Sequence, residues 1–202
     1  LPSDSKKVGK DTSYISIIDR LGNAVSLTPS DFPMTPMVPG TGLTLGNRMT
    51  QFRLDPEHAD ALEPGKRPRI TPNPSMVFKN GELFMSFGTP GGDMQTQAMV
   101  QVFLNIAVFG MDPQEAIDAP RFCSFNFPDS FSPHTYQPGT IGLEEHLYKT
   151  VSSSLKELGY TALSAGNWDE NYGAVCAIIK DPQSANLISG ADPRQESWAE
   201  GR

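Results

Sequence analysis

Two short segments carry residue types that could do chemistry together. Asp11-Thr-Ser-Tyr14 directly precedes an apolar strand pattern, which puts Thr12 at the start of a strand. A threonine hydroxyl is a weak nucleophile until a base takes its proton. A free α-amino group on the same residue can be that base, with an unperturbed pKa of about 8. Such an arrangement requires a chain cut before Thr12. The second segment, Gly88-Thr-Pro-Gly-Gly-Asp93, lies between a strand pattern and a helix pattern. Adjacent glycines let backbone N–H groups approach a ligand, and the following helix N-terminus adds positive partial charge. Donors so placed suit an oxyanion. Taken singly, the first segment reads as an ordinary strand start, and the second reads at least as well as a plain strand-to-helix turn.

Other chemistries lack their residues. The sequence has no Walker loop, G-x-G-x-x-G, H-E-x-x-H or G-x-S-x-G pattern and no Cys/His spacing for zinc. His58, His134 and His146 stand far apart in polar or loop contexts and read as surface residues. Cys123 and Cys176 read as free, buried thiols. Net charge is −7, from 16 basic and 23 acidic side chains. The densest basic patch, Lys66-Arg-Pro-Arg69, is too small to neutralise a nucleic-acid backbone, so nucleic acid is not an expected partner. No apolar run is long enough to span a membrane. Leu1 to Lys10 lacks the apolar stretch of a signal peptide and reads as a flexible arm.

The elements that must position these segments are partly legible. Tyr14–Ile18 and Ala24–Leu27 flank a turn and predict a hairpin. Ser75–Phe78 and Leu83–Phe87 flank Asn80-Gly81, the strongest hairpin signal in the chain. Residues 29–74, rich in Pro and Gly, show little periodicity. Apolar residues at Met99, Val102, Phe103, Ile106 and Phe109 predict a helix from Met94 that stops at Gly110. Asp112-Pro113 opens a short helix through Ala119, and Glu144–Leu158 forms a third that stops at Gly159. Gly173–Ile179 and Asn186–Ser189 read as strands joined by the turn Lys180–Gln183. Hairpins, then helices, then strands predict a single α+β domain of antiparallel sheets covered by helices.

From Asp11 to Arg194 the chain resembles the small subunit of the gamma-glutamyltransferase family of N-terminal-nucleophile (Ntn) hydrolases. The matching segments occur in the family's order. They are Asp11-Thr-Ser-Tyr14 with Asp19–Ser26, then Val38–Gly42, Gly46–Met49 with Phe52, and Pro64–Pro68. Gly88–Gly92, Phe109–Ala116, Asp118–Phe122 and Gly190–Arg194 complete the series. The resemblance implies an αββα four-layer sandwich and a precursor that cleaves itself before the nucleophile. Residues 1–11 would then be the tail of the large-subunit segment, and residues 12–202 the small-subunit domain.

The resemblance also assigns roles. Thr12 matches the nucleophile, and Gly91 and Gly92 match the oxyanion glycines. Ser30 falls near the family's second hydroxyl, which supports the nucleophile, although Thr28 fits that place under a small shift. At the substrate-binding positions, Arg48 replaces a Gln, Gln51 replaces an acid, and Thr71 ends a pair that reads Ile70-Thr71 where the family has Ser-Ser. The activity implied is γ-glutamyl hydrolysis or transfer, with glutathione as donor, through an acyl-threonine. The alternatives are the same chemistry on another amide and an uncleaved relative that only binds. The implied partner is a large subunit from the same precursor, in a heterodimer or a dimer of heterodimers. No metal or organic cofactor is implied. The compartment stays open between periplasmic or secreted and cytoplasmic.

Overall fold

The computed structural model describes residues 12–30, 36–181, 184 and 186–201. The expected arm at residues 1–10, Asp11 of the expected cleavage bond, and Pro182 and Gln183 of the last turn lie outside the described residues.

The fold is mixed α+β. Strands β1 (Ile15–Ile18) and β2 (Ala24–Leu27) form an antiparallel hairpin with Ile15 opposite Leu27. Strands β3 (Ser75–Lys79) and β4 (Glu82–Gly88) pair antiparallel across the Asn80-Gly81 turn, where both residues take positive φ, as such a turn demands. They belong to a four-stranded antiparallel sheet of order β3-β4-β8-β9, completed by β8 (Cys176–Lys180) and β9 (Leu187–Gly190). Helix α1 (Met94–Ala107) and the short α2 (Pro113–Asp118) cover one face of it. Ala98, Met99, Val102 and Ile106 of α1 pack with Ala116 and Ile117 of α2 against Met85, Phe87, Ala177 and Ile179 of the sheet. As expected, α2 begins with Asp112, whose side chain accepts from the Gln114 N–H, and with Pro113 in its first turn.

The β1–β2 hairpin lies against the opposite face of that sheet. Two contacts seat it. The Ser16 hydroxyl donates to the Ser86 hydroxyl at 2.7 Å. The Tyr14 ring fills the place of a side chain at Gly88, where a Cβ would lie 2.3 Å from Tyr14 Cε2. The outer face of the hairpin presents Ile15, Ile17, Val25 and Leu27, all exposed.

A second sheet was not legible in the sequence. β5 (Phe122–Ser124) pairs antiparallel with β6 (Thr140–Leu143), which pairs parallel with β7 (Thr161–Ser164). Helix α3 (Glu145–Glu157) is the crossover between β6 and β7 and packs on them through Leu147, Val151 and Leu155. Leu158, expected on the same face, is exposed beyond the helix end, as is Phe109 beyond α1.

A buried cluster of charges ties these parts together. Arg121, Glu144, Asp192 and Arg194 are each at most 5% exposed. Arg121 Nη2 lies 2.6 Å from Asp192 Oδ2, and Arg194 pairs with both Asp192 and Glu144. The two guanidiniums also cap the C-terminal end of α2, donating to the carbonyls of Ile117 and Ala119. Arg121 reaches the carbonyls of Tyr172 and Gly173 as well, and Asp192 accepts from the Val175 N–H at 2.7 Å. Removing one member leaves a buried charge and several carbonyls without partners. Arg121→Met is therefore expected to cost about 3–5 kcal/mol of unfolding free energy, read from the urea midpoint. A loss below roughly 1 kcal/mol would mean that Arg194 alone satisfies the cluster.

Candidate active site

Thr12 stands just before β1, where it forms an isolated antiparallel bridge with Ser30 beyond the end of β2. The Ser13 N–H donates to the Pro29 carbonyl at 2.9 Å and extends the hairpin to this point. The bridge brings the two hydroxyls to 2.8 Å. Of the two candidates for the supporting hydroxyl, Ser30 is the one that meets Thr12. Thr28 is buried, and its Oγ1 has no hydrogen-bond partner among the described residues. Strand alternation accounts for the choice, because residues on one face recur two apart and only the register of the hairpin decides which of them pairs.

Arg48 begins a 3₁₀ turn, Arg48–Gln51, that brings its guanidinium onto this hydroxyl pair. Nη2 donates to Ser30 Oγ and lies 3.5 Å from the Ser30 carbonyl. The guanidinium carbon sits 5.9 Å from the centre of the Phe131 ring. Gln51 is turned inward, 1% exposed, with its amide donating to Ser130 Oγ at 2.9 Å. Ser132 N–H donates to the Thr50 carbonyl, and a His134 ring nitrogen lies 3.2 Å from the Phe52 carbonyl. The 3₁₀ turn is thus stitched to the 129–134 loop.

Thr12 lines a cavity of about 1190 Å³ shared with Asn47, Gly91, Gly92, Asp93, Phe131 and Tyr172. Gly91 has φ +130° and Gly92 φ +56°, both in the left-handed half of conformational space. The loop is fixed from behind. Thr89 Oγ1 donates to the Pro90 carbonyl at 2.7 Å and accepts from the Ala174 N–H at 2.6 Å. Gln95, fully buried on α1, sets its amide nitrogen toward the carbonyls of Thr71 and Thr89, 3.1 Å from each, and its oxygen then accepts from the Gly92 N–H at 3.1 Å. Thr71 therefore meets the glycine loop through its carbonyl and Gln95. None of the three expected substrate-binding residues, Arg48, Gln51 and Thr71, lines the cavity.

The sequence reading did not single out Gln95 or the 129–134 loop. Gln95 had a signal: it stands on the same helix face as Ala98, Met99 and Val102, where the apolar stripe calls for a hydrocarbon. The loop had none, since its contacts with the 3₁₀ turn span some eighty positions.

Electrostatics separate this wall from a thiol site. Burial pushes the Cys123 thiol up to about 12 and raises Cys176 too, so neither is a ready nucleophile. Both cysteines are free, Cys123 buried and Cys176 half-buried. Asp93 accepts from the Ser130 N–H at 2.6 Å and pairs with Arg69 at 3.2 Å. Burial, with the nearby Asp93 carboxylate, raises the pKa of Asp129 above the ordinary aspartate value. Among the described residues no group of His, Cys, Asp and Glu could hold a metal ion, and no helix is long and apolar enough to cross a membrane.

Residues 2–201 match the gamma-glutamyltranspeptidase family. The chain belongs to that family. It is 34% identical over its whole length to a glutathione hydrolase-like proenzyme, YwrD, of Bacillus subtilis, covering 38% of that protein. It is 32% identical over 95% of its length to an oxamate amidohydrolase proenzyme of Klebsiella pneumoniae, covering 35% of it. The chain thus spans little more than a third of these relatives. Among solved structures it superposes on a gamma-glutamyltranspeptidase chain from Pseudomonas nitroreducens complexed with L-DON, at 29% identity and a TM-score of 0.75, covering 95% of this chain and 100% of that one. It also superposes on a cephalosporin acylase from Bacillus halodurans, at 31% identity and a TM-score of 0.77, covering 94% of this chain and 34% of that one.

The backbone angles rank the two glycines as targets. A φ of +56° is open to other residues at a modest cost, and a Cβ at Gly92 would meet only Phe131, at an ordinary 3.7 Å. A φ of +130° is closed to L-residues, and a Cβ at Gly91 would lie 3.4 Å from the Gly173 backbone. Gly91→Ala is expected to lower kcat by roughly 10²- to 10³-fold and to cost about 1–3 kcal/mol of unfolding free energy, and Gly92→Ala to lower kcat by less, with an unfolding curve close to wild type. A kcat within a few-fold of wild type in both variants would mean that the glycines only make a turn.

Proposed function

We propose that this chain is the nucleophile-bearing part of a self-processed amidase that works through an acyl-threonine intermediate. The observation that carries the reading is the Thr12 hydroxyl, 2.8 Å from Ser30 Oγ, on the wall of a cavity that also contains the Gly91-Gly92 loop. After a cut between Asp11 and Thr12, the new α-amine takes the hydroxyl proton as Thr12 Oγ1 attacks the substrate carbonyl carbon. The Gly91 and Gly92 amides receive the oxyanion, the latter exchanging Gln95 for it. Collapse of the tetrahedral intermediate breaks the C–N bond, the proton passes to the leaving amine, and an ester on Thr12 remains. Water or an amine acceptor attacks that ester and restores the hydroxyl.

The domain of this reading begins at Thr12, with residues 1–11 belonging to the large-subunit segment. The large subunit covers the exposed apolar face of the β1–β2 hairpin. It would thereby complete the αββα sandwich, of which the α1/α2 layer, the four-stranded sheet and the hairpin are the parts contributed here. Sequencing the N-terminus of the mature small subunit tests the assignment. The expected first residue is Thr12, and Thr12→Ala should leave the precursor uncut. Any other first residue in active enzyme removes both the processing claim and the base.

Gamma-glutamyl compounds, glutathione among them, are the first substrate class, as the names of several relatives suggest. A specific observation favours a second reading, an amide without the γ-glutamyl ammonium group. Arg48 places a fixed cation beside the nucleophile, and Gln51 offers no carboxylate to the cavity. Like charges at about 4 Å with an effective dielectric of about 20 repel by roughly 4 kcal/mol before screening. An oxamate amidohydrolase and a cephalosporin acylase among the similar proteins fit the same direction. Glutaryl-p-nitroanilide, which lacks the ammonium, is expected to exceed γ-glutamyl-p-nitroanilide in kcat/KM by about tenfold or more. A value above roughly 10⁴ M⁻¹s⁻¹ for the γ-glutamyl donor would overturn the second reading.

A further inference from the structure

We propose that Arg48 is a positioning residue for the nucleophile. Its guanidinium sets the direction of the Ser30–Thr12 hydrogen bond and keeps the α-amine of the processed chain neutral. The inference rests on the reading of Thr12 as nucleophile. It gives Arg48 a task within the enzyme's own machinery, where the resemblance implied only contact with substrate.

Considered alone, the Thr12–Ser30 pair is symmetric, and either oxygen can donate. A guanidinium has only donors. Arg48 Nη2 donates to Ser30 Oγ and takes one of its two lone pairs, and the adjacent positive charge polarises the Ser30 O–H, which shifts the pair toward the arrangement in which Ser30 donates to Thr12 Oγ1. Thr12 Oγ1 accepts, so its own proton is directed to a different group, which in the processed chain is the adjacent α-amine. The same Ser30 proton faces Thr12 Oγ1 when the ester breaks and negative charge returns to that oxygen. A neutral residue able to both donate and accept would not fix this polarity.

Charge gives a second effect. The ionisable side chains lining the two cavities that share Thr12 are mainly acidic. Asp93, Asp129 and Asp169 line the larger one, with Arg69 engaged by Asp93, and Glu196 and Glu200 of the C-terminal segment line the smaller one. Carboxylates favour an ammonium at Thr12, which is not a base, whereas a cation one hydroxyl away disfavours it. Arg48 supplies that opposing charge. Its placement is built and not incidental. The Phe131 ring lies beneath the guanidinium, and Gln51, through Ser130, anchors the far end of the 3₁₀ turn. Gln51 thus holds the turn from which Arg48 acts.

The test uses the full-length precursor and glutaryl-p-nitroanilide, whose acyl group has no amine to titrate. Rates are expressed per chain beginning at Thr12, counted by intact mass. Arg48→Met should lower kcat about tenfold and move the acid limb of kcat/KM up by about one pH unit, whereas Arg48→Lys should keep the wild-type limb. In a Ser30→Ala background, adding Arg48→Met should still move the acid limb but change kcat on the pH-independent plateau less than about twofold, because the hydroxyl it orients is gone. Self-cleavage uses the same hydroxyl, so an Arg48→Met precursor that stays uncut while Arg48→Lys is cut also supports the proposal. An Arg48→Met enzyme altered only in KM overturns it, as do additive effects on plateau kcat with Ser30→Ala, or a lysine variant that fails as the methionine variant does. Activity retained in Thr12→Ala would refute the underlying function instead, whatever Arg48 does.

Discussion

The buried charge cluster of Arg121, Glu144, Asp192 and Arg194 is the constraint on which the rest of the structure depends. Two charges of each sign sit where water cannot reach, and each is tolerable only while the other three are in place. The cluster joins the end of α2, the start of β5, the cap of α3 and the segment after β9. It also grips the backbone around Gly173, and this links it to the glycine loop. Gly173 backs Gly91, while Ala174 next to it holds Thr89. The position of the glycine loop thus derives from ion pairs on the far side of the segment. Net stability is a weak reason for such a cluster; the fixing of one geometry at the loop is a better one.

Thr12 is positioned by different means. Among the described residues, a serine–serine hydrogen bond and a ring over a glycine hold the hairpin to the central sheet. The hairpin register then carries Thr12 to Ser30. One wall of the cavity is thus set by electrostatics through α2 and β9, and the other by shape complementarity between two sheets. The 3₁₀ turn with Arg48 lies where the two arrangements meet.

How much of this was legible follows from the range of each interaction. The Asn80-Gly81 hairpin, the stops at Gly110 and Gly159 and the Asp112-Pro113 helix start are local signals, and the structure contains each within a few residues of the expected place. The α+β class came from the order of these elements. Strands β5, β6 and β7 were missed because each has only three or four residues and Gly142 interrupts the middle one. β6 and β7 are joined by the α3 crossover and β5 and β6 by the long segment 125–139, so no short turn marks either pairing. Thr12 and the two glycines, singled out by type and context, line one cavity. Ser30 could not be separated from Thr28, because that choice is one of strand register. Gln51 was read by its position in a motif, yet a buried amide facing Ser130 depends on a loop far along the chain.

The packing of Tyr14 over Gly88 bears on how this sequence can drift. With an aromatic ring in that place, position 88 admits no side chain at all, because even a methyl would overlap the ring by more than an ångström. Substitution at 88 therefore becomes neutral only after Tyr14 has shrunk, and a smaller residue at 14 leaves a void until 88 has grown. Each single step passes through a less fit intermediate. The two positions, separated by most of the first half of the chain, form one inherited character. They should change together or not at all in any lineage that keeps this hairpin seated on this sheet.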